Sequence, residues 1–277
     1  MRQFISLFSF FLLGQICLGR TIIVDHFGGG QYTSIQPAID AAASGDTVKV
    51  WPGPLQGYVG QINLYKNITL MGSGYENTPI TSNSNPTVLM STGRLQWFRI
   101  TSTSGDGVLI SGGVLQCCVI VDCATTGIKS TSGNGSVINC VITCNGVDGI
   151  RTETGGTISA TNCIARPNGR FGFYEPGGAL NLSYSNGSRL GTTGNQGCID
   201  VDPGAPYSCA DVRIPENSLG GWNIGNPSLL DPDGSRSDMG YFGGPDCPIY
   251  PTVFEILLRS TGNPNTVNLT AKGRANY

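Results

Sequence analysis

Two stretches, "NCVITCNGVDGI" at 139–150 and "NCIARPNGRFGF" at 162–173, say nearly the same thing 23 residues apart. Each runs from an asparagine and a cysteine to a glycine followed by a large apolar residue. The pattern extends upstream. Gly107-Val108, Gly127-Ile128, Gly149-Ile150 and Gly172-Phe173 form one column, with steps of 20, 22 and 23 residues. Phe98, Cys118, Cys140 and Cys163 form a second, each followed two residues on by Ile100, Ile120, Ile142 and Ala165. Trp97, Cys117, Asn139 and Asn162 form a third. Three columns in one register define an internal repeat of about 22 residues.

Within a repeat the side-chain period is two. In "GIRTE" (149–153), Ile150 and Thr152 face one way and Arg151 and Glu153 the other. Strands this short bury an apolar face only by stacking coil on coil, with equivalent side chains about 4.8 Å apart. Three short strands per coil make a parallel β-helix. A leucine-rich repeat would need a leucine framework, which this chain lacks.

Residues 149–172 carry Gly149, Ile150, Ile158, Asn162, Ile164, Asn168 and Gly172. This spacing resembles the repeat of the secreted right-handed parallel β-helix superfamily, whose architecture pectate lyases and pectinesterases share. The resemblance implies an all-β fold of three parallel sheets, with Asn139 and Asn162 stacked at a bend. There the asparagine amide can reach the next coil, and its backbone tolerates the left-handed region.

The ends need covering, because an open last coil exposes strand edges. At the N-terminal end, Ser34 is an N-cap and Pro37 falls in the first helical turn. Ile35, Ala38, Ile39, Ala42 and Ala43 make one apolar face, Gly45 closes the helix, and a strand Thr47–Val50 follows. This order is similar to the capping helix of the pectinesterase and pectate-lyase-like proteins. The stretch "GNPSLLDPDGSRSDMGYFGGP" (225–245) is similar to a segment that closes secreted bacterial β-helix proteins. The expected layout is a cap over about 20–58, repeats over about 59–181 and a closing segment over about 182–247. In the tail, 248–277, strands at Val253–Leu258 and Thr266–Ala271 suit a hairpin. Val119, Val141 and Ile164 form an outward apolar column that needs cover, which the tail is one candidate to supply.

Residues 1–19, "MRQFISLFSFFLLGQICLG", read as a secretory leader. Arg2 supplies the positive charge, Phe4 to Leu13 the apolar stretch, and Cys17 and Gly19 the small residues before cleavage. The expected location is therefore secreted or at the cell surface. No other stretch is apolar enough to suggest a membrane span. Net charge is −2 with only 12% charged residues and no basic block, which argues against nucleic acid as a partner.

Of the 10 cysteines, Cys17 lies in the leader, leaving an odd number in an oxidising setting. Cys198 and Cys209 bracket loop-like sequence and are the favoured disulfide. Cys118, Cys140 and Cys163 read as a buried column. Cys123 and Cys144 occupy corresponding turns, where they are either buried or paired across neighbouring coils. A ladder does not give a tetrahedron, so zinc is not expected there. His26 is the single histidine, so a His-rich metal site is excluded.

The pectin methylesterase, polygalacturonase and pectate lyase motifs are absent, and no catalytic residue is carried over from them. Chemistry, if any, belongs on the outward column beside the glycine dyads: Leu109, Lys129, Arg151 and Tyr174, with Asp106, Asp148 and Glu153 close by. Lysine and arginine on adjacent coils can neutralise a uronate carboxylate. A lysine or tyrosine beside them can abstract a sugar proton, or the tyrosine can stack on the ring. A solvated, alternately charged face is the plainer reading. No cofactor is demanded. Calcium is the ion that Asp231, Asp233, Ser235 and Asp238 could ligate, against an Asx-rich turn. Threonines do not fall into one rank, which disfavours an ice-binding surface. Two readings remain. One is a non-catalytic adhesion, structural or polysaccharide-binding module. The other is a lyase or hydrolase acting on acidic extracellular polysaccharide.

Overall fold

The computed structural model describes residues 19–188, 196–204, 207–215, 217–246, 250–260 and 267–276, the last two ranges as backbone only. The leader reading falls outside these residues. The chain winds into a parallel β-solenoid with three sheets of eight, seven and six strands. From strand Thr47–Val50 onward each coil contributes one strand to each sheet in turn, as in Ile128–Ser130, Gly133–Ile138 and Val141–Thr143. Every neighbouring pair within these sheets is parallel and in register, so Val108, Ile128, Ile150 and Phe173 stack. All four are fully buried, as are Phe98, Cys118, Cys140 and Cys163 from the second column. A single hydrophobic core runs the length of the coil.

The third column marks a corner. Trp97, Cys117, Asn139 and Asn162 have φ of 69°, 45°, 50° and 54°, and Tyr184 continues the series at 45°. A left-handed residue at the same place in each coil turns the chain sharply from the eight-stranded into the seven-stranded sheet. The asparagines there, however, do not bond along the stack. Asn139 and Asn162 donate outward, to Asp238 O at 3.4 Å and Ser237 Oγ at 2.9 Å.

The ladder between coils belongs to Asn145 and Asn168, at another turn. Asn145 Nδ2 donates to Asn168 Oδ1 at 2.9 Å, and Cys123 N donates to Asn145 Oδ1 at 3.1 Å. This ladder, with the backbone and core beside it, leaves no room for a side chain at two of the dyad glycines. A Cβ on Gly127 would lie 2.7 Å from Asn145 Nδ2, and one on Gly149 2.7 Å from Asn168 Nδ2.

A short helix, Ile35–Ala41, packs against strands Thr21–Val24, Thr47–Val50 and Ile62–Leu64. Ile35, Ala38 and Ile39 join the core from it. The helix ends earlier than Gly45. Ala42 is already extended, and Asp46 accepts from Ala43 N at 2.9 Å, drawing the chain out of the helix. Ala43 is consequently exposed. Ser34 holds the N-cap position without a capping side-chain bond.

Among the described residues, the apolar column Val119, Val141 and Ile164 is covered by the closing segment. It forms a second core with Val212, Met239, Tyr241 and Tyr75. The segment straps down the left-handed corner one coil at a time. Asn226 N donates to Asn162 Oδ1 at 2.7 Å, and Gly240 N donates to Asn162 O at 2.6 Å. Asp238 O meets Asn139, and Asp246 accepts from Gln116 Nε2 at 2.9 Å and Trp97 Nε1 at 3.0 Å. Tail strands Tyr250–Ser260 and Val267–Asn276 pair antiparallel as a two-stranded sheet of their own, longer than expected. No helix among the described residues is long and apolar enough to cross a membrane.

The disulfide joins Cys144 to Cys209, not Cys198 to Cys209, with Cα atoms 5.7 Å apart. Cys198 is free, and so is Cys123. The register explains this. Cys144 is equivalent to Asp122, both with positive φ (55° and 54°), whereas Cys123 is equivalent to Asn145 in the inner ladder. Cys144 therefore points to the strap side and Cys123 into the core. The bridge closes a loop 65 residues apart in sequence, for which chain entropy allows up to about 4 kcal/mol. Peptide mapping under non-reducing conditions should recover Cys144 linked to Cys209. Cys209→Ser should lower stability by about 2–4 kcal/mol. Cys198→Ser should leave the map and the melting temperature nearly unchanged, and recovery of a 198–209 peptide would contradict the structure.

Candidate functional site

The outward column on the six-stranded sheet assembles as its spacing requires. Leu109 pairs with Lys129, Lys129 with Arg151, and Arg151 with Tyr174, each one coil from the next. Stacking residues 22 or 23 apart places their side chains within reach of one another. Lys129 Nζ lies 3.2 Å from Glu153 Oε1, and Arg151 Nε donates to the same oxygen at 3.0 Å. Burial alone would raise the Glu153 carboxyl. Lys129 and Arg151 outweigh it and hold the group below its ordinary range.

Asp148 is the centre of the cluster and its side chain is fully buried. Arg170 grips it with both arms, Nε to Oδ1 at 3.0 Å and Nη2 to Oδ2 at 2.6 Å. Arg151 Nη1 reaches Oδ2 at 3.4 Å, and the backbone N of Phe171 reaches Oδ1 at 3.3 Å. The hydrogen bonds that Arg170 donates to Asp148 raise it above its ordinary value.

Tyr174 is not a free platform. Its ring stacks on Phe171 at 4.7 Å with an interplanar angle of 11°. The guanidinium of Arg170 lies 4.4 Å from its centroid and that of Arg151 5.3 Å. Beside the cluster, Arg151, Glu153, Thr154, Pro176 and Gly177 line a shallow cleft of about 300 Å³.

Arg170 and Phe171 were not singled out from the sequence. A signal exists in the register. Asp106, Thr126, Asp148 and Phe171 each precede a dyad glycine. Asp106 accepts from Thr126 N at 3.0 Å, much as Asp148 accepts from Phe171 N. An aspartate before the dyad thus looks to the next coil, where Arg170 stands. Asp106 itself is spent on Thr125 and Thr126 and stays apart from the cluster.

The four calcium candidates do not converge on one point. Asp233 accepts from Ser235 N at 2.9 Å and Ser235 Oγ at 2.7 Å, an Asx turn. Asp231 accepts from Gly244 N at 2.6 Å and Asp238 N at 3.2 Å, and Asp238 accepts from Asn223 N at 2.6 Å. Each carboxylate is used to fold the strap. No group of three or more His, Cys, Asp or Glu residues suited to a metal ion occurs among the described residues. Burial pushes Asp238 up to about 7. The Asn223 amide opposes that shift, and the charges of Asp231 and Asp233 reinforce it. Burial likewise raises Asp231.

No protein-family model matches the chain, and neither a curated protein nor a solved structure matches it significantly.

Removing the carboxylate of Asp148 leaves two guanidinium groups without their shared partner. The pairs are only partly exposed, so Asp148→Ala should cost about 2–3 kcal/mol in urea unfolding, less than a fully buried pair. A loss under 0.5 kcal/mol, as at an ordinary surface site, would show that the network is incidental. The raised carboxyl of Asp238 binds its proton more tightly in the folded state. Its contribution is therefore complete below the unfolded value near 4 and is lost as pH rises through about 7. Asp238→Asn should flatten the fall in melting temperature between pH 4 and pH 7 that the parent protein shows, as checked by calorimetry across that range.

Proposed function

We propose that this protein is an extracellular, non-catalytic β-solenoid module whose six-stranded face binds acidic polysaccharide. The observation that carries this reading is the closed network around Asp148. Lys129, Arg151 and Arg170 outnumber Asp148 and Glu153, so this cluster keeps one surplus positive charge. Both carboxylates are already engaged. An incoming uronate carboxylate would find guanidinium and ammonium groups held in place by the neighbouring coils, with little ordering cost.

The same network weakens the alternative of a lyase or hydrolase. A carboxylate held low by two cations, as Glu153 is, makes a poor base for a sugar proton. Asp148 is buried beneath two arginines, and Tyr174 is covered by Phe171 and Arg170. The Cys144–Cys209 bridge supports an oxidising location, consistent with the leader-like sequence at 1–19.

Affinity electrophoresis through polygalacturonate, alginate and glycosaminoglycan gels tests the proposal. Retardation by at least one polymer is expected. Binding should fall as salt shortens the range of charge attraction and weaken about tenfold in Lys129→Ala or Arg151→Ala. Absorbance at about 235 nm, from unsaturated product of β-elimination, should not rise. No retardation on any polymer would refute binding, and product lost on Lys129→Ala would favour the lyase instead.

A further inference from the structure

A second recess lies at the opposite end of the coil, between the first turn of the helix and the loop entering strand Tyr58–Val59. Its volume is about 650 Å³, and its walls include His26, Thr33, Ser34, Gln56, Tyr58 and Gln61. No lysine, arginine, aspartate or glutamate lines it. This sets it apart from the charged face, which is built around salt links.

Several polar groups in the recess are unspent. Ser34 makes no capping bond to the helix it precedes. The side chains of Thr33 and Gln56 hydrogen-bond to none of the described residues. Gln61 gives its Nε2 to Pro86 O at 2.8 Å, which leaves its carbonyl end as an acceptor. Together these hydroxyls and amides can both donate and accept.

The rest of the lining is apolar. Ile35 and Ile62 are buried beneath it. The hydroxyl of Tyr58 is tied to Trp51 O at 2.9 Å, and its ring is buried below the recess as part of the apolar floor. His26 stands edge-on to Tyr58 at 6.2 Å and to Phe27 at 5.3 Å. Phe27, Trp51 and Val59 are exposed around this end of the coil.

A lining without lysine, arginine or carboxylate, with mixed donors and acceptors over an apolar floor, selects its ligand. An anionic or cationic group would lose water and gain no counter-charge. A purely apolar molecule would desolvate the hydroxyls and amides without replacing their bonds. A neutral sugar offers hydroxyls that donate and accept, and C–H faces that pack on aromatic rings. We propose that the N-terminal recess is a binding site for a neutral glycan, separate from the charged six-stranded face.

Saturation-transfer NMR and calorimetry on the full mature chain test this. The probes are neutral gluco-, xylo- and manno-hexaoses, with hexagalacturonate as the charged comparison. Transfer to at least one neutral hexaose is expected. Its affinity should drop about tenfold in Gln56→Ala and in Val59→Arg, which puts a charge and bulk at the mouth. Both positions are exposed, so the melting temperature should hold, and calorimetry checks it. Arg151→Ala should leave neutral binding unchanged while weakening any hexagalacturonate binding, which keeps the two sites distinguishable. No transfer to any neutral hexaose at millimolar concentration would overturn the proposal. So would neutral binding that survives both recess variants, or neutral binding that disappears in Arg151→Ala.

Discussion

Everything in this molecule depends on making the same sharp corner at the same place in successive coils. Trp97, Cys117, Asn139, Asn162 and Tyr184 all adopt the left-handed backbone there. Non-glycine residues enter that region at a cost, and the surrounding ladders repay it by keeping the coils in register. If one corner opened, the register of that coil would slip. A slip of one residue would exchange its core and solvent faces. The buried columns, the asparagine ladder and the charged face all require that the corner stay fixed.

The corner also decides what faces the strap. Asparagine at this position leaves an amide projecting outward once the chain has turned, and Asn139 and Asn162 use theirs on residues 237–238. Inside the coil, the matching task of joining neighbours falls to Asn145 and Asn168, whose amides lie close against Gly127 and Gly149. The two asparagine columns look alike in sequence but act on opposite sides of the wall. One seals the interior between coils, and the other fastens a separate segment from outside.

The repeat was legible because it is periodic: core columns, dyads and the outward line Leu109–Lys129–Arg151–Tyr174 all follow from one register. The corner column was visible too, although its outward bonding was not. What escaped the sequence was contact between the repeat and non-repeating chain. Cys209 lies outside the register, so no spacing rule tied it to Cys144, and nearness in sequence favoured Cys198. The cover over Val119, Val141 and Ile164 comes from a segment with almost no regular secondary structure, whose path is set by Asp231, Asp238 and tertiary packing. Arg170 was overlooked because repeats here differ in length by one to three residues. Its kinship with Asp148 appears only after the coils are superposed. The helix ended early for a local reason, the competing pull of Asp46 on Ala43 N.

The strap gives the coil a fixed length. Between Asn162 and Trp97 it passes three coil steps, about 14 Å at 4.8 Å each, and it touches Asn162, Asn139, Gln116 and Trp97, returning once to Asn162 through Gly240. Open-ended repeats can gain or lose a unit during evolution with little penalty, since every unit sees only its neighbours. Here a unit duplicated between Tyr75, held by Tyr241, and Asn162 would pull the strap out of step with its anchors, whereas one added before residue 75 would not. The strap thus works as a molecular ruler, dividing the solenoid into a short first part that is free to grow and a longer part whose coil number is counted.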